Sequence, residues 1–377
     1  MSMSKKLVLS DNDISIFHAE RMQLLFKQYM ATPIKAKYVT YWEEITCVGY
    51  HPENNRLEAV VSVKQSGGYS TGLCAAGPKE YVRFFVDYHD GAGFIDAGMT
   101  NFKVANIADG TPATHPIQYM AYIYLDTTNH KKYLGCSKAV IPTVKAILSW
   151  NTPVPNDPDY HPHYGNVIER NIQLKPLLIY KPFDPSDLVF YPKPKFVDIP
   201  KLMEKAFPTP PLPPIEKLYK TYKSNQVPDH RMLYTSIAPM VMEKSFATTA
   251  LKYQPNEIAQ LGIDYDKLIE VILGNDDKAD VAFEELVCVG LNSATDTLGA
   301  VIHVKKNSGY SGDLCSTGSA EYVAFWADWD NNGSFDEYLG TAEVRVHDLD
   351  NIPADGLYYN VALPIDVTKH LRACSKP

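Results

Sequence analysis

The stretch from Glu43 to Thr100 occurs twice in this chain. It reads EEITCVGYHPENNRLEAVVSVKQSGGYSTGLCAAGPKEYVRFFVDYHDGAGFIDAGMT. From Glu284 to Thr341 the chain reads EELVCVGLNSATDTLGAVIHVKKNSGYSGDLCSTGSAEYVAFWADWDNNGSFDEYLGT, aligned without a gap. Cys47 matches Cys288 and Cys74 matches Cys315, both 241 positions apart. A repeat of this length is a whole folding unit, longer than the roughly 20–50 residues of a solenoid element. The duplication is also an internal control, because a chemistry that the unit requires should keep the same side chains in both copies.

Two or three domains are expected of 377 residues, and 45% apolar residues are ample for packed cores. The net charge is −8 and no run of Lys or Arg forms a basic stripe, which argues against nucleic acid or an anionic membrane as partner. The 25 tyrosines and 27 prolines favour strands and shaped loops over helix bundles. The opening MSMSKKLVLSDNDISIFHAERMQLL lacks the apolar core of a secretory signal. No stretch approaches the about 18 apolar residues of a membrane-spanning helix. The expectation is a cytoplasmic protein or one exported by a route that leaves no such signal.

The organisation reads as all-β, with two antiparallel β-sandwich domains of common origin, a Pro-rich linker and minor helical elements. Residues 1–32 form an N-terminal helical segment, capped by Asp11 or Asp13 and ended by Pro33. Sandwich repeat one spans 33–181. Leu57, Ala59, Val61 and Val63 alternate with Glu58, Val60, Ser62 and Lys64, as Leu298, Ala300, Ile302 and Val304 do in the second copy, the pattern of a half-buried strand. Cys47 and Cys288 lie in apolar strands, where buried free thiols are expected. Further strands are expected at Tyr81–Asp87, Tyr322–Asp328, Ile117–Leu125, Leu357–Ile365, Val140–Trp150 and Val167–Lys175. Residues 182–214 read as an extended proline-rich linker. Residues 215–282 read as a partly helical connector, an insert or a brace, with Asn256–Leu273 the best helix. Sandwich repeat two spans 283–377.

Cys136 in GCSKAVIP matches Cys374 in ACSKP, so the second copy is expected to lack the two strands that close the first. Unpaired backbone groups and an apolar face would then be exposed. Three readings are open. A segment of the same chain fills the gap (Lys6–Ser10, Asp187–Tyr191 or part of 215–282). Alternatively a second copy or a partner donates strands, giving a homo-oligomer or filament. In the third, the second sandwich is simply shorter, or the sequence is a truncated version of a longer one.

The motifs give no complete catalytic set. In DWDNNGSFDE, Asp328, Asp330, Asn332, Gly333 and Asp336 fall at the ligand and turn positions of a calcium loop, with Glu337 in place of the missing bidentate acid. Calcium is the cofactor this points to. The other reading is an Asx-rich turn, and the first copy, with His89, Gly91, Ala92 and Ile95, cannot form the cage. GYSTG at Gly68–Gly72 matches a nucleophile elbow, but the second copy breaks the pattern at Asp313 and no helix is expected after it. Cys74 with Cys136 and Cys315 with Cys374 are disulfide candidates, with reduced thiols or zinc as the alternatives. His161 and His163 read as exposed loop histidines. Glu43/Glu44 and Glu284/Glu285 read as a solvated strand start.

VAFWADWDNNGSFDEYLG resembles the GEVED-type β-sandwich module of secreted bacterial proteins, which implies a sandwich with adhesive or accessory roles. The repeat together with AILSWNTPVPNDPDYHPHYGNVIERNIQLKP resembles a family of uncharacterised bacterial tandem-repeat proteins, whose unit is normally completed by the SWN-containing strand. The duplicated scaffold, the absent catalytic set and the unclosed sheet lead to the expectation of a non-catalytic structural or interaction protein that self-assembles through β-strand complementation. The alternative is a calcium-dependent module binding a glycan or peptide through Tyr322, Trp326 and Trp329.

Overall fold

Every residue from Arg56 to Val63 is buried, although apolar and polar residues alternate there. A strand covered on one face only would bury every second residue, so this strand carries protein on both faces. The computed structural model describes residues 38–107, 116–132, 134–177, 213–234, 255–264 and 280–374, and from Thr40 onward these belong to one unit. The elements are β1 (Glu43–His51), β2 (Arg56–Val63), β3 (Lys79–Asp87), β4 (Phe94–Lys103), β5 (Ile117–Tyr124), β6 (Thr143–Trp150), β7 (Val167–Asn171), α1 (Ile215–Ser224), α2 (Pro255–Gln260), β8 (Glu284–Asn292), β9 (Thr297–Val304), β10 (Ser319–Ala327), β11 (Glu337–Val346) and β12 (Leu357–Pro364). The fold is predominantly β.

Six strands close into a barrel in the order β1-β12-β9-β8-β5-β2. Within it, β1-β2-β5 and β8-β9-β12 are antiparallel three-stranded sheets. Two short parallel seams join them, with Tyr50 opposite Tyr359 and Tyr119 opposite Leu291. The two repeated stretches therefore share one barrel instead of standing apart on a linker. Inside it, Cys47, Val60, Val301 and Tyr358 pack together with Cys288.

A β-bulge decides which residues of β1 face the barrel. The register slips between Ile45 and Cys47, and β8 slips at the matching place, between Leu286 and Cys288. The extra residue lets Ile45, Val48 and Tyr50 all face one core. That core lies between β1-β2-β5 and the sheet β4-β3-β6-β7, and is filled by Leu57, Val61, Val82, Phe84, Ala146 and Leu148. A second core lies between β8-β9-β12 and the two-stranded sheet β10-β11, with Ile302, Tyr310, Phe325, Val344 and Tyr359.

The expected strands are present, with ends shifted by a few residues. Strands β4 and β11 were not expected, because they are half-exposed and polar along much of their length. In the connector, α1 buries Ile215, Leu218 and Tyr222 on one stripe. These pack with Val227, Met232, Leu233, Ile258 and Phe283. Of the helix expected at Asn256–Leu273, the described part forms α2, which ends at Gln260 and is followed by Gly262 with φ +74°, a left-handed residue that ends helices; residues 265–273 lie outside the described residues. The expected helix at 11–31, the strand candidates Lys6–Ser10 and Asp187–Tyr191, and residues 182–212 of the linker lie outside the described residues.

Candidate functional site

Two places break the correspondence between the repeated stretches. The first is the outer edge of β10. In the first half, β3 pairs with β4 on one side and with β6 on the other. Strand β10 pairs with β11 alone among the described strands. The side chains register the difference. Phe85 on β3 is fully buried against Ile147 and Val154, whereas Trp326, at the matching position of β10, is 52% exposed. Ile45 and Val48 of β1 are 2% and 0% exposed, but Leu286 and Val289 of β8 are 53% and 37% exposed. In the first half Asn166, just before β7, also clamps β1: Ile45 N–H donates to its Oδ1 (2.7 Å) and its Nδ2 donates to Ile45 O (3.0 Å).

The second place is the end of each half, where the paired acids begin β1 and β8. One member of each pair faces solvent: Glu44 meets Lys64 at 2.8 Å, and Glu285 meets Lys305 at 2.6 Å. The other member faces inward, which corrects the reading of both acids as solvated. Glu43 is 1% exposed and Glu80, on β3, is 0% exposed. Burial pushes the Glu43 carboxyl up to about 7. Burial, with the neighbouring Glu43, pushes Glu80 up to about 9. The Gly-Tyr-Ser turn closes this end. Gly68 (φ +106°) and Ser70 (φ +62°) aim the Tyr69 ring inward, where its hydroxyl donates to Trp42 O (3.1 Å) and its N–H to Asn106 Oδ1 (2.8 Å). Gly309 and Ser311 repeat the turn around Tyr310, whose hydroxyl donates to Phe283 O (3.0 Å). GYSTG is thus a tyrosine-positioning turn followed by a strand, without the helix an elbow needs.

What fills the two ends differs. In the second half Arg231, in the helical segment 229–234, reaches Glu284 with both ends of its guanidinium: Nη1 to Oε1 at 2.9 Å and Nη2 to Oε2 at 2.5 Å. Its Nε donates to Gly309 O (3.2 Å), and its plane lies 4.1 Å from the Phe283 ring centre. In the first half Trp42, Glu43, Gly68, Tyr69, Trp150 and Tyr164 line a cavity of about 110 Å³. A larger cleft of about 300 Å³ is lined by residues including Glu53, Gln173, Lys175, Arg345 and His347. Two of its polar groups are already engaged, Glu53 with His51 (3.1 Å) and Gln173 with the Tyr359 hydroxyl (3.0 Å).

The remaining expected site residues sit elsewhere. In the Asp328–Glu337 loop the carboxylates accept from backbone amides. Gly333 N–H donates to Asp328 Oδ2 (2.7 Å), Asn332 N–H to Asp328 Oδ1 (3.2 Å), and Asn332 Nδ2 to Asp330 Oδ2 (3.0 Å). Glu337 turns to His370 at 3.5 Å. Asp336 is exposed. Among the described residues the one group of three ligand-type side chains with donor atoms within 4.8 Å is Cys136, Asp313 and Cys315, and its two cysteines are joined to each other. The disulfides run Cys74–Cys374 and Cys136–Cys315, across the repeated stretches, and not within each as expected. Cys47 and Cys288, expected to be free, face each other across the barrel as a third pair, with Cα atoms 6.6 Å apart. His161 and His163 are exposed, and His163 packs edge-on against Tyr164.

No family model matches the chain, and comparison with curated proteins and with solved structures finds no similar protein.

Proposed function

We propose that the chain is a non-catalytic structural protein built from two copies of one β-sandwich unit, and that the second copy is completed by a β-strand from another molecule of the same chain. The observation that carries this reading is the contrast at one position, with Phe85 sealed under β6 and Trp326 bare on an edge that pairs with no described strand. Exposed backbone donors and acceptors beside an apolar face are a template for strand addition. Tyr322 of β10 is exposed too, and Leu286 and Val289 of β8 are bare where Ile45 and Val48 of β1 are covered.

A second molecule fits the edge by polarity and by number. Strand β6 runs antiparallel to β3, and β10 meets its own copy antiparallel across a two-fold axis. The resulting sheet, β11-β10-β10′-β11′, has as many strands as β4-β3-β6-β7. Such self-complementary pairing closes a dimer, whereas head-to-tail donation gives rings or filaments.

Sedimentation velocity over a concentration series tests the reading. The wild-type chain is expected to associate. Trp326→Lys, which places a charge on the pairing edge without touching a core, is expected to sediment as a monomer with an unchanged circular dichroism spectrum. A wild type that stays monomeric at the highest attainable concentration, or a variant that assembles as the wild type does, overturns the proposal.

A further inference from the structure

Unsatisfied polar groups accumulate at the end of the first half: Glu43 and Trp150 line its cavity, and Glu80 lies close enough to Glu43 to feel its charge. Glu43 Oε2, both carboxylate oxygens of Glu80 and the indole Nε1 of Trp150 are buried without a hydrogen-bond partner. Each such group costs about 1–3 kcal/mol when left unmade, and several at one place call for a ligand. The other half of the molecule shows what ligand the frame accepts. Phe283, Glu284, Gly309 and Tyr310 match Trp42, Glu43, Gly68 and Tyr69 at the same 241-residue offset, and between them lies the Arg231 guanidinium, two-pronged on Glu284 and with its Cζ over the Phe283 ring.

We propose that the cavity formed by Trp42, Glu43, Tyr69, Trp150 and Tyr164, with Glu80 behind it, is a receptor for a guanidinium group brought by another molecule. Guanidinium supplies donors in a fixed plane that match a carboxylate at two points, and it stacks on aromatic faces. The walls here are aromatic: Tyr164 stands edge-on to both Trp42 (5.7 Å) and Trp150 (5.6 Å). A cavity of about 110 Å³ has room for several waters at about 30 Å³ each, and so for a flat cationic head. Gly68 is needed at the rim, because a Cβ there would meet the Trp42 indole nitrogen at 2.6 Å. The other titratable groups at this end are Tyr69, Tyr119, Tyr164 and His163, and Glu44 is turned away onto Lys64. A bound cation favours the ionised carboxylates, so entry of guanidinium releases protons.

The test is titration of the full chain with methylguanidinium, followed by tryptophan fluorescence (Trp42 and Trp150 line the cavity) and calorimetry. Saturable binding is expected, tightening as pH rises from 6 to 9 with proton release, and weaker by about tenfold or more for methylammonium. Glu43→Gln and Glu80→Gln each remove a buried unpaired carboxyl and are expected to fold, while losing about tenfold in affinity. Arg231→Ala is expected to open the matching frame and add a second equivalent of bound probe. Blocked N-acetyl-arginine methylamide binding at least as well as free L-arginine assigns the guanidinium to a polypeptide side chain, and the reverse assigns it to the free amino acid. Arg21, the one arginine outside the described residues, is read by Arg21→Ala: equal probe binding is expected of an occupant from another molecule, and tighter binding, which places the occupant in this chain, overturns the proposal. Absence of saturable binding in both wild type and Arg21→Ala, or affinity unchanged in both glutamine variants, overturns the proposal.

Discussion

Gly49 lies so close to the Tyr359 carbonyl that a Cβ added to it would sit 2.7 Å from the oxygen. This is one of the two seams that close the barrel. At the other, Gly290 faces Tyr119 with the corresponding distance at 3.1 Å. Neither glycine is there for a left-handed conformation; each removes a side chain where two backbones approach. Gly49→Ala is expected to destabilise the fold by about 1–3 kcal/mol, the usual cost of forcing extra volume into a packed site. Gly290→Ala, whose neighbours need shift less, is expected to cost less. Urea midpoints at unchanged slope would check both, and equal midpoints for Gly49→Ala and wild type would refute the close-approach account.

The cysteine pairs differ in access, and that sets an order of reduction. Cys74 and Cys374 are both exposed, Cys136 and Cys315 are half-buried, and Cys47 lies inside the barrel. Thiol exchange needs a nucleophile to reach a sulfur. Timed alkylation under dithiothreitol is expected to label Cys74 and Cys374 first and Cys47 last. Because Cys136–Cys315 ties residues 179 apart, Cys315→Ser is expected to cost about 2–5 kcal/mol, read as a lower thermal midpoint. Labelling of Cys47 ahead of Cys74 would contradict the order.

How much of this was legible in the sequence depends on which face of a strand is considered. The Leu57–Val63 alternation identified β2 and its core face correctly. The intervening Glu58, Val60 and Ser62 read as a solvated face, yet all are buried, because β8-β9-β12 covers them. Val60 and Val301, apolar on the supposed outer face, were the available signal. Pairing the cysteines within each copy assumed that neighbours in a unit bond to each other, and a shared barrel exchanges those partners. The inward turn of Glu43 was implied by adjacency, since successive strand residues face opposite ways, but nothing in the letters EE says which residue is inside. The comparison of the copies led to the expectation of two strands missing from the second half without saying which edge they would leave; β12 is paired on both sides, with β1 and β9, and among the described strands β10 pairs with β11 alone. The Arg231 contact was not anticipated, because the helical connector has no counterpart in the first repeat to align with.

Glu80 makes stability depend on pH in a definite direction. Its folded-state value, pushed up to about 9 by burial and by Glu43, lies above that of an unfolded glutamate near 4.5. The folded chain therefore holds a proton that the unfolded chain releases between those values. The stability from this group is complete below about pH 4.5 and is lost as pH rises toward 9. Glu43, at about 7, acts in the same sense over a narrower window. Chemical denaturation at pH 6 and pH 9 is expected to give a lower stability at pH 9, with Glu80→Gln flattening the difference. An undiminished difference in that variant would remove Glu80 as its source.

Tyr222 ties the helical connector to the second half of the fold. Its hydroxyl donates to Asp348 Oδ2 at 2.7 Å and accepts from the Ser311 N–H at 2.7 Å, while its ring is buried in the connector core. Asp348 also takes the N–H groups of Gly309, Tyr310 and Gly312, so one carboxylate joins α1 to the turn that positions Tyr310 beside Arg231. Tyr222→Phe keeps the packing and removes the hydroxyl, leaving the Ser311 amide without this acceptor. The expected cost is about 1–3 kcal/mol, that of a buried hydrogen-bonding group deprived of its partner. Hydrogen exchange offers the sharper check. Amides of Ser311 and Gly312 should exchange faster in the variant while those of Tyr69 and Thr71, in the matching turn that no described helix tethers, stay unchanged. Equal acceleration in both turns would mean that the effect is global and that the connector does not brace this end.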